Sequence, residues 1–223
     1  MKVAALYDVH AMPHALGAVL DELADVDPDL VFGGDLIGGP FPHETVELAR
    51  SVDGRFLRGN GEREPDAWDR AHLTPVVLAE LARLPAEISL DGVLYCHAAP
   101  DSDLTLTTAS TPVEALDRTF GGCVEGVVVI GHTHHQFDLA VGAHRIVNAG
   151  SVGMAYEDDV AAFWALVEDG TPLFRRTRFD VERAAAEIEA SGWPGAAAFV
   201  AENLRATPSR AEAIEQFERL RAA

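Results

Sequence analysis

Gly131-His132-Thr133-His134-His135 directly follows Gly126-Val127-Val128-Val129-Ile130. The earlier run has no polar side chain and is rich in β-branched residues, as a strand buried on both faces is. The later run therefore begins where a strand ends, and its glycine lets the backbone turn tightly there. His132 and His134 stand at i and i+2, so in an extended segment both point the same way. Imidazole is the commonest metal-binding side chain, which makes the pair a candidate half-site. A polar loop that happens to hold histidines would read the same, so partners elsewhere in the chain must decide.

Such partners occur at the ends of other apolar runs. Lys2–Tyr7 reads as a strand and ends at Asp8-Val9-His10, again i and i+2. Leu30-Val31-Phe32 ends at Gly33-Gly34-Asp35, Arg55–Arg58 at Gly59-Asn60-Gly61-Glu62, and Val93–Cys96 at His97. Helical periodicity fills the intervals from Pro13, over Pro42–Ser51, over Val76–Leu84 and from Pro112 to Phe120. Three strand–loop–helix units in a row predict an α/β fold, a parallel or mixed sheet with helices on its faces. Asp91-Gly92 and Asp169-Gly170 are hairpin-turn pairs. From Val181 onward the pattern is helical. The chain thus divides into residues 1–178 and a helical extension, 179–223, whose Ile188, Phe199, Leu204, Ile214, Phe217 and Leu220 need a partner surface. That surface is either the first unit or a homodimer contact.

A chain of 223 residues can bury a sizeable core. Its net charge of −19 argues against a nucleic-acid polymer or an anionic membrane as partner, since little basic surface is available to displace counterions. No stretch reaches the ~18 apolar residues of a membrane span. Met1–Asp8 is too short for a signal peptide, and the two cysteines, Cys96 and Cys123, are spaced unlike a zinc pair and read as free thiols. A cytoplasmic location is the expectation.

Asp8, His10, Asp35, Asn60, His97, His132 and His134 all fall at strand ends, where active sites of open α/β sheets gather. Oxygen and nitrogen donors without cysteine suit a pair of divalent transition metals, and imidazoles favour Mn, Fe, Co, Ni or Zn over Mg or Ca. Singly, each has an ordinary reading: Asp8 or Asp35 could cap a helix, His97 could be a satisfied buried histidine, and Asn60 beside glycine could be a turn. His14, His43, His72, His135 and His144 have no paired donor and read as surface or structural.

The ordered blocks Asp8-Val9-His10, Gly34-Asp35, Gly59-Asn60, His97 and Gly131-His132-Thr133-His134 resemble those of the calcineurin-like metallophosphoesterase superfamily. The likeness is greatest to its small bacterial and archaeal phosphodiesterase branch and covers about residues 1–178. The resemblance implies a sandwich of two mixed sheets flanked by helices, which replaces a doubly wound sheet as the expectation. It implies that Asp8, His10, Asp35 and His134 hold one metal, Mn first among the choices, and that Asp35, Asn60, His97 and His132 hold the other. Asp35 would bridge, and Asp35 and Asn60 would bear on catalysis. The implied chemistry is hydrolysis of a small phosphate ester by a metal-bridging hydroxide, with phosphodiesters favoured. In many members a histidine follows the asparagine of the third block and assists the leaving group; here Gly61 stands there. Arg63, Glu62 and His135 are candidate substrate contacts, although Arg63 reads equally as a surface arginine at a helix start and Glu62 rather as a residue that orients a neighbour; His135 and His72 are candidate replacements for the absent acid. The alternatives are a non-catalytic scaffold on the same fold and a phosphomonoesterase acting on phosphoproteins.

Overall fold

The computed structural model describes residues 1–222. β1 (Lys2–Leu6), β2 (Asp29–Phe32) and β3 (Gly54–Phe56) run parallel, with α1 (Pro13–Leu23) and α2 (Pro42–Arg50) as their crossovers. Each helix opens on a proline at its first position, where no backbone donor is lost. Three short helices follow: α3 (Asn60–Arg63), α4 (Ala67–His72) and α5 (Pro75–Leu81). A second sheet comprises β4 (Glu87–Leu90), β5 (Val93–Cys96), β6 (Val127–Ile130), β7 (Phe137–Val141) and β8 (His144–Asn148), with α6 (Val113–Phe120) crossing from β5 to β6. β9 (Ala162–Glu168) and β10 (Thr171–Thr177) then return antiparallel to the first sheet. The strand orders are β10-β9-β1-β2-β3 and β4-β5-β6-β8-β7.

Both faces of each sheet are apolar, and this is why the strands form a sandwich and not one doubly wound sheet. Val3, Ala5, Tyr7 and Val31 meet Val93, Tyr95, Val129 and Val147 of the facing sheet in one buried cluster. The alternate residues Ala4, Leu6, Leu30 and Phe32 pack outward with Leu16, Val19 and Val46 of the helices. On the far side Leu94, Val128 and Ile130 are covered by Leu116 and Phe120. The Tyr7 hydroxyl, wholly buried, donates to the Val129 carbonyl at 2.9 Å and ties the two sheets together. The Asp91-Gly92 and Asp169-Gly170 turns carry φ of 50° and 76°, and of 49° and 74°, the left-handed pairs that tight hairpins need.

The helices after Phe179 share this core. α7 (Val181–Ala190) and α8 (Ala196–Phe199), which continues as a π-helical turn over Val200–Leu204, place Ala184, Ile188, Phe199, Val200 and Leu204 in the same cluster as α1. α9 (Arg210–Ala222) lies over the loops at the strand ends. Its Glu218 accepts from the Thr108 and Thr111 hydroxyls, and Arg210 pairs with buried Glu157 at 2.6 Å. Cys96 and Cys123 are free, the first buried and the second half-buried. Among the described residues no helix is long and apolar enough to cross a membrane.

Candidate metal centre

The seven strand-end residues converge. Asp8, His10 and His134 form one group of donor atoms within 4.8 Å of one another, and Asp35, His97 and His132 a second. The two groups meet at the aspartates. Asp35 Oδ1 lies 3.6 Å from His97 Nε2, and Asp35 Oδ2 lies 3.9 Å from His10 Nε2. Asp8 Oδ1 faces His134 at 3.3 Å, and His10 and His97 at 3.9 Å each.

Local backbone brings them there at a cost. Asp8, His10, Asp35, His132 and His134 all have positive φ, between 47° and 66°, a region that L-residues enter rarely. Two glycines permit the close approach of the chain to the carboxylates. A Cβ on Gly131 would sit 2.3 Å from Asp8 Oδ2, and one on Gly59 2.2 Å from Asp35 Oδ1. The His132 amide donates to Asp8 Oδ2 at 2.8 Å, and the Gly61 amide to Asp35 Oδ1 at 2.8 Å.

The imidazoles are set as ligands by what they touch on the other side. Nδ1 of His10, His97 and His134 faces the carbonyls of Gly38, Gly33 and Met154, at 3.3, 3.0 and 2.8 Å. A carbonyl can only accept, so each Nδ1 carries the proton and each Nε2 turns a lone pair to the centre. His10 Nε2 and His134 Nε2 are 3.1 Å apart. Asp8 Oδ1 is buried without a hydrogen-bond partner. The Asn60 side-chain amide lies beside the same rings, its nitrogen placed to donate to His97 Nε2, His132 Nδ1 and the Asp103 carbonyl at 3.1–3.2 Å. Lone pairs crowded against lone pairs in a buried site call for a cation, and this donor set fits divalent metals.

Without a cation, burial and the mutual proximity of these groups shift their titration. Burial alone would raise the Asp8 carboxyl, but the His134, His97 and His10 rings hold it well below the usual carboxylate range. Burial and the neighbouring His134 lower His10, and burial with His97 pushes His132 down to about 4. His97 is raised: burial opposes its charge, but Asp35 and Asp8 outweigh burial.

The residues proposed for substrate fare differently. Glu62 is wholly buried, and its carboxylate accepts from the amides of Asp35, Leu36, Ile37 and Gly59 at 2.7–3.4 Å. It orients the Asp35 and Asn60 loops and has no surface on which to meet substrate. Burial and Asp35 push it up to about 7. His135 is also wholly buried, its Nδ1 donating to the Thr133 carbonyl and its ring lying against Phe137 and Phe217. Adjacent residues at a sharp turn face opposite ways, so His135 leaves the centre that His134 enters. His72 stacks on Trp68 on the surface and is outside both donor groups. Arg63 stays at the site. It grips Asp103 at 2.6 and 3.2 Å and, with Arg58, walls a 290 Å³ cleft that reaches His97.

Three residues outside the donor groups support the centre. Asn148 donates to the Gly131 carbonyl and the Thr133 hydroxyl. Ser151 donates to the Asp8 carbonyl at 2.7 Å. Tyr156 stacks on the His134 ring, centroids 4.9 Å apart, and its amide donates to the His134 carbonyl. Burial, Asp8 and Glu202 raise its phenol.

The family model described as the calcineurin-like phosphoesterase superfamily domain matches residues 1–169. The chain belongs to that superfamily. Among solved structures, this superfamily member is similar to a metallophosphoesterase from Sphaerobacter thermophilus, at 24% identity and a TM-score of 0.74 over 92% of this chain and 99% of that one. It is similar also to a hypothetical protein from Pyrococcus horikoshii OT3, at 17% identity and a TM-score of 0.73 over 89% and 97%. YfcE, a phosphoesterase from E. coli, shares 20% identity and a TM-score of 0.51 over 81% of this chain and all of that one. Likenesses at these identities speak for the fold. A comparison with curated proteins gave no match.

Proposed function

We propose that the protein is a phosphodiesterase that works with two divalent metals, Mn foremost. The observation that carries this reading is the position of Asp35 between two groups of donors, one oxygen turned to each. Asp8, His10, Asp35 and His134 would hold one ion, and Asp35, Asn60, His97 and His132 the other. When bound, such ions acidify water and offset charge at a phosphoryl group.

The chain's own residues do the rest. Carbonyls of Gly33, Gly38 and Met154 hold the histidine tautomers. Glu62 and the Gly61 amide fix the Asp35 carboxylate. Arg58 and Arg63, walling the cleft at His97, are placed to meet oxygens of the ester. Nothing at position 61 delivers a proton to the leaving group. His135 is enclosed and His72 stacks on Trp68 outside both donor groups, so neither takes that task. General-acid help contributes about 10²–10⁴-fold. Esters with weakly basic leaving groups, such as aryl diesters and nucleotide anhydrides, should therefore react far better than alkyl monoesters.

The test is a rate series over leaving-group basicity with Mn-loaded protein, diesters beside monoesters, repeated in EDTA. A steep dependence on the leaving group, with diesters ahead and activity lost in EDTA, is expected. A flat series, or full activity in EDTA, overturns the reading. Gly61→His serves as a comparison, with a constraint visible in the structure: its Cβ would lie 3.1 Å from Asp35 Oδ1. Its metal content must be measured alongside its rates.

A further inference from the structure

The donor groups are flanked by two clefts of different character. The cleft at His97 is walled by arginines. The other, 430 Å³, lies between Tyr156 and the C-terminal helices, and its wall includes Phe217, Asn203, Gln216, Glu202 and Glu212. Tyr156 is the shared wall: one face of its ring stacks on His134, and Phe217 stands 6.0 Å from it, centroid to centroid. This volume lies in the range of small-molecule sites, roughly 300–1,000 Å³. Both aromatic rings are only half-buried, so part of each is left at the cleft for a flat ring to pack on. Two side-chain amides offer an edge. Among the described residues, the oxygen of Asn203 and the nitrogen of Gln216 have no intramolecular partner, since Asn203 donates to Phe199 and Gln216 accepts from Arg219. Glu202 and Glu212 outnumber Arg219, the one cation among the described residues of this wall, which suits the cleft to an amine.

We propose that this cleft binds a nucleobase with an exocyclic amine, carried by the substituent that stays on phosphorus after hydrolysis. The substrate is then a diester with a nucleoside on the Tyr156 side, and its leaving group lies towards the arginine-walled cleft. This rests on the phosphodiesterase reading above, but the cleft can be probed without any reaction.

Adenosine, which has no phosphate, is titrated into metal-free protein and followed by saturation-transfer NMR and calorimetry. Binding is expected, with Phe217→Ala loosening it about tenfold or more, by the usual loss of a stacking ring. Phe217 also touches His135, so Asn203→Ala and Gln216→Ala at the rim repeat the test, and each should weaken binding several-fold. With Mn-loaded protein, adenosine 5′-(4-nitrophenyl) phosphate and methyl 4-nitrophenyl phosphate share one leaving group. The adenosine ester should have the higher kcat/KM, and the ratio of the two should fall about tenfold in Phe217→Ala. No adenosine binding, or a ratio near one in the wild type, overturns the proposal. Adenosine binding with neither ester hydrolysed would sink the phosphodiesterase reading and leave the cleft assigned as a nucleoside site.

Discussion

His135 allows a sharp test of how the site is built. The residue is wholly buried, its Nε2 has no partner, and burial, reinforced by Arg210, pushes the ring down to about 4 from an ordinary 6.5. A depressed folded pKa means that the neutral ring's contribution is fully present above about 6.5 and is lost as pH falls towards 4. At pH 5 the loss reaches about 2 kcal/mol relative to pH 8, by the linkage relation. His135→Phe removes that titration. Phe also suits a position between Phe137 and Phe217, although the Thr133 carbonyl loses its donor, at about 1 kcal/mol. Urea unfolding of both proteins in EDTA, at pH 8, 6 and 5, isolates the effect, because every other group titrates in both. The variant should be near or slightly below wild type at pH 8 and gain about 2 kcal/mol on it by pH 5. In Tm that is roughly 4–8 °C for a chain of this size. A gap between the two proteins that stays constant from pH 8 to pH 5 would refute the burial argument and return His135 to the list of candidate acids.

Asp35→Asn should lower metal content at both groups after Mn loading, since each carboxylate oxygen faces a different one; elemental analysis showing two full equivalents with full activity would end the bridging assignment. Glu62→Ala strips a common acceptor from the Asp35, Leu36 and Gly59 amides, and at about 1–3 kcal/mol per stranded donor the metal-free protein at pH 8 should lose roughly 3 kcal/mol or more by urea unfolding. A loss under about 1 kcal/mol would mean that the loops hold themselves. Arg210→Ala leaves Glu157 with only the Gln136 amide. Breaking a buried pair costs about 3–5 kcal/mol, and because Arg210 is 44% exposed about 1–2 kcal/mol is expected, checked by calorimetry.

The donor set was legible because it is local. Asp8-Val9-His10 and His132-Thr133-His134 announce themselves by spacing, and a strand end is visible as the point where an apolar run stops. Hairpins were legible for the same reason, through Asp-Gly pairs. The sandwich was not readable from periodicity: a strand apolar on both faces does not say whether helices or another sheet cover the second face. Roles set by distant contacts were equally silent. That Glu62 orients a neighbour could be read from its place, but which neighbours could not until the chain brings three amides of the 35–37 loop to it. Tyr156 and Glu157 gain their meaning from His134 and Arg210, 22 and 53 positions away. For His135 the sequence left a structural and a site reading side by side, and the turn between adjacent residues decides for the first: it sends one ring into the site and the next into the core.

Five of the seven donors hold left-handed backbone that glycine would occupy more comfortably. At about 1 kcal/mol or more apiece, the total rivals the whole net stability of many domains. Selection for a sturdier fold alone would therefore wear these residues away, one glycine at a time, and the centre would vanish before the sandwich suffered. The same gradient warns the engineer: a thermostability screen free to vary Asp8, His10, Asp35, His132 and His134 will enrich tougher proteins that have lost the cluster.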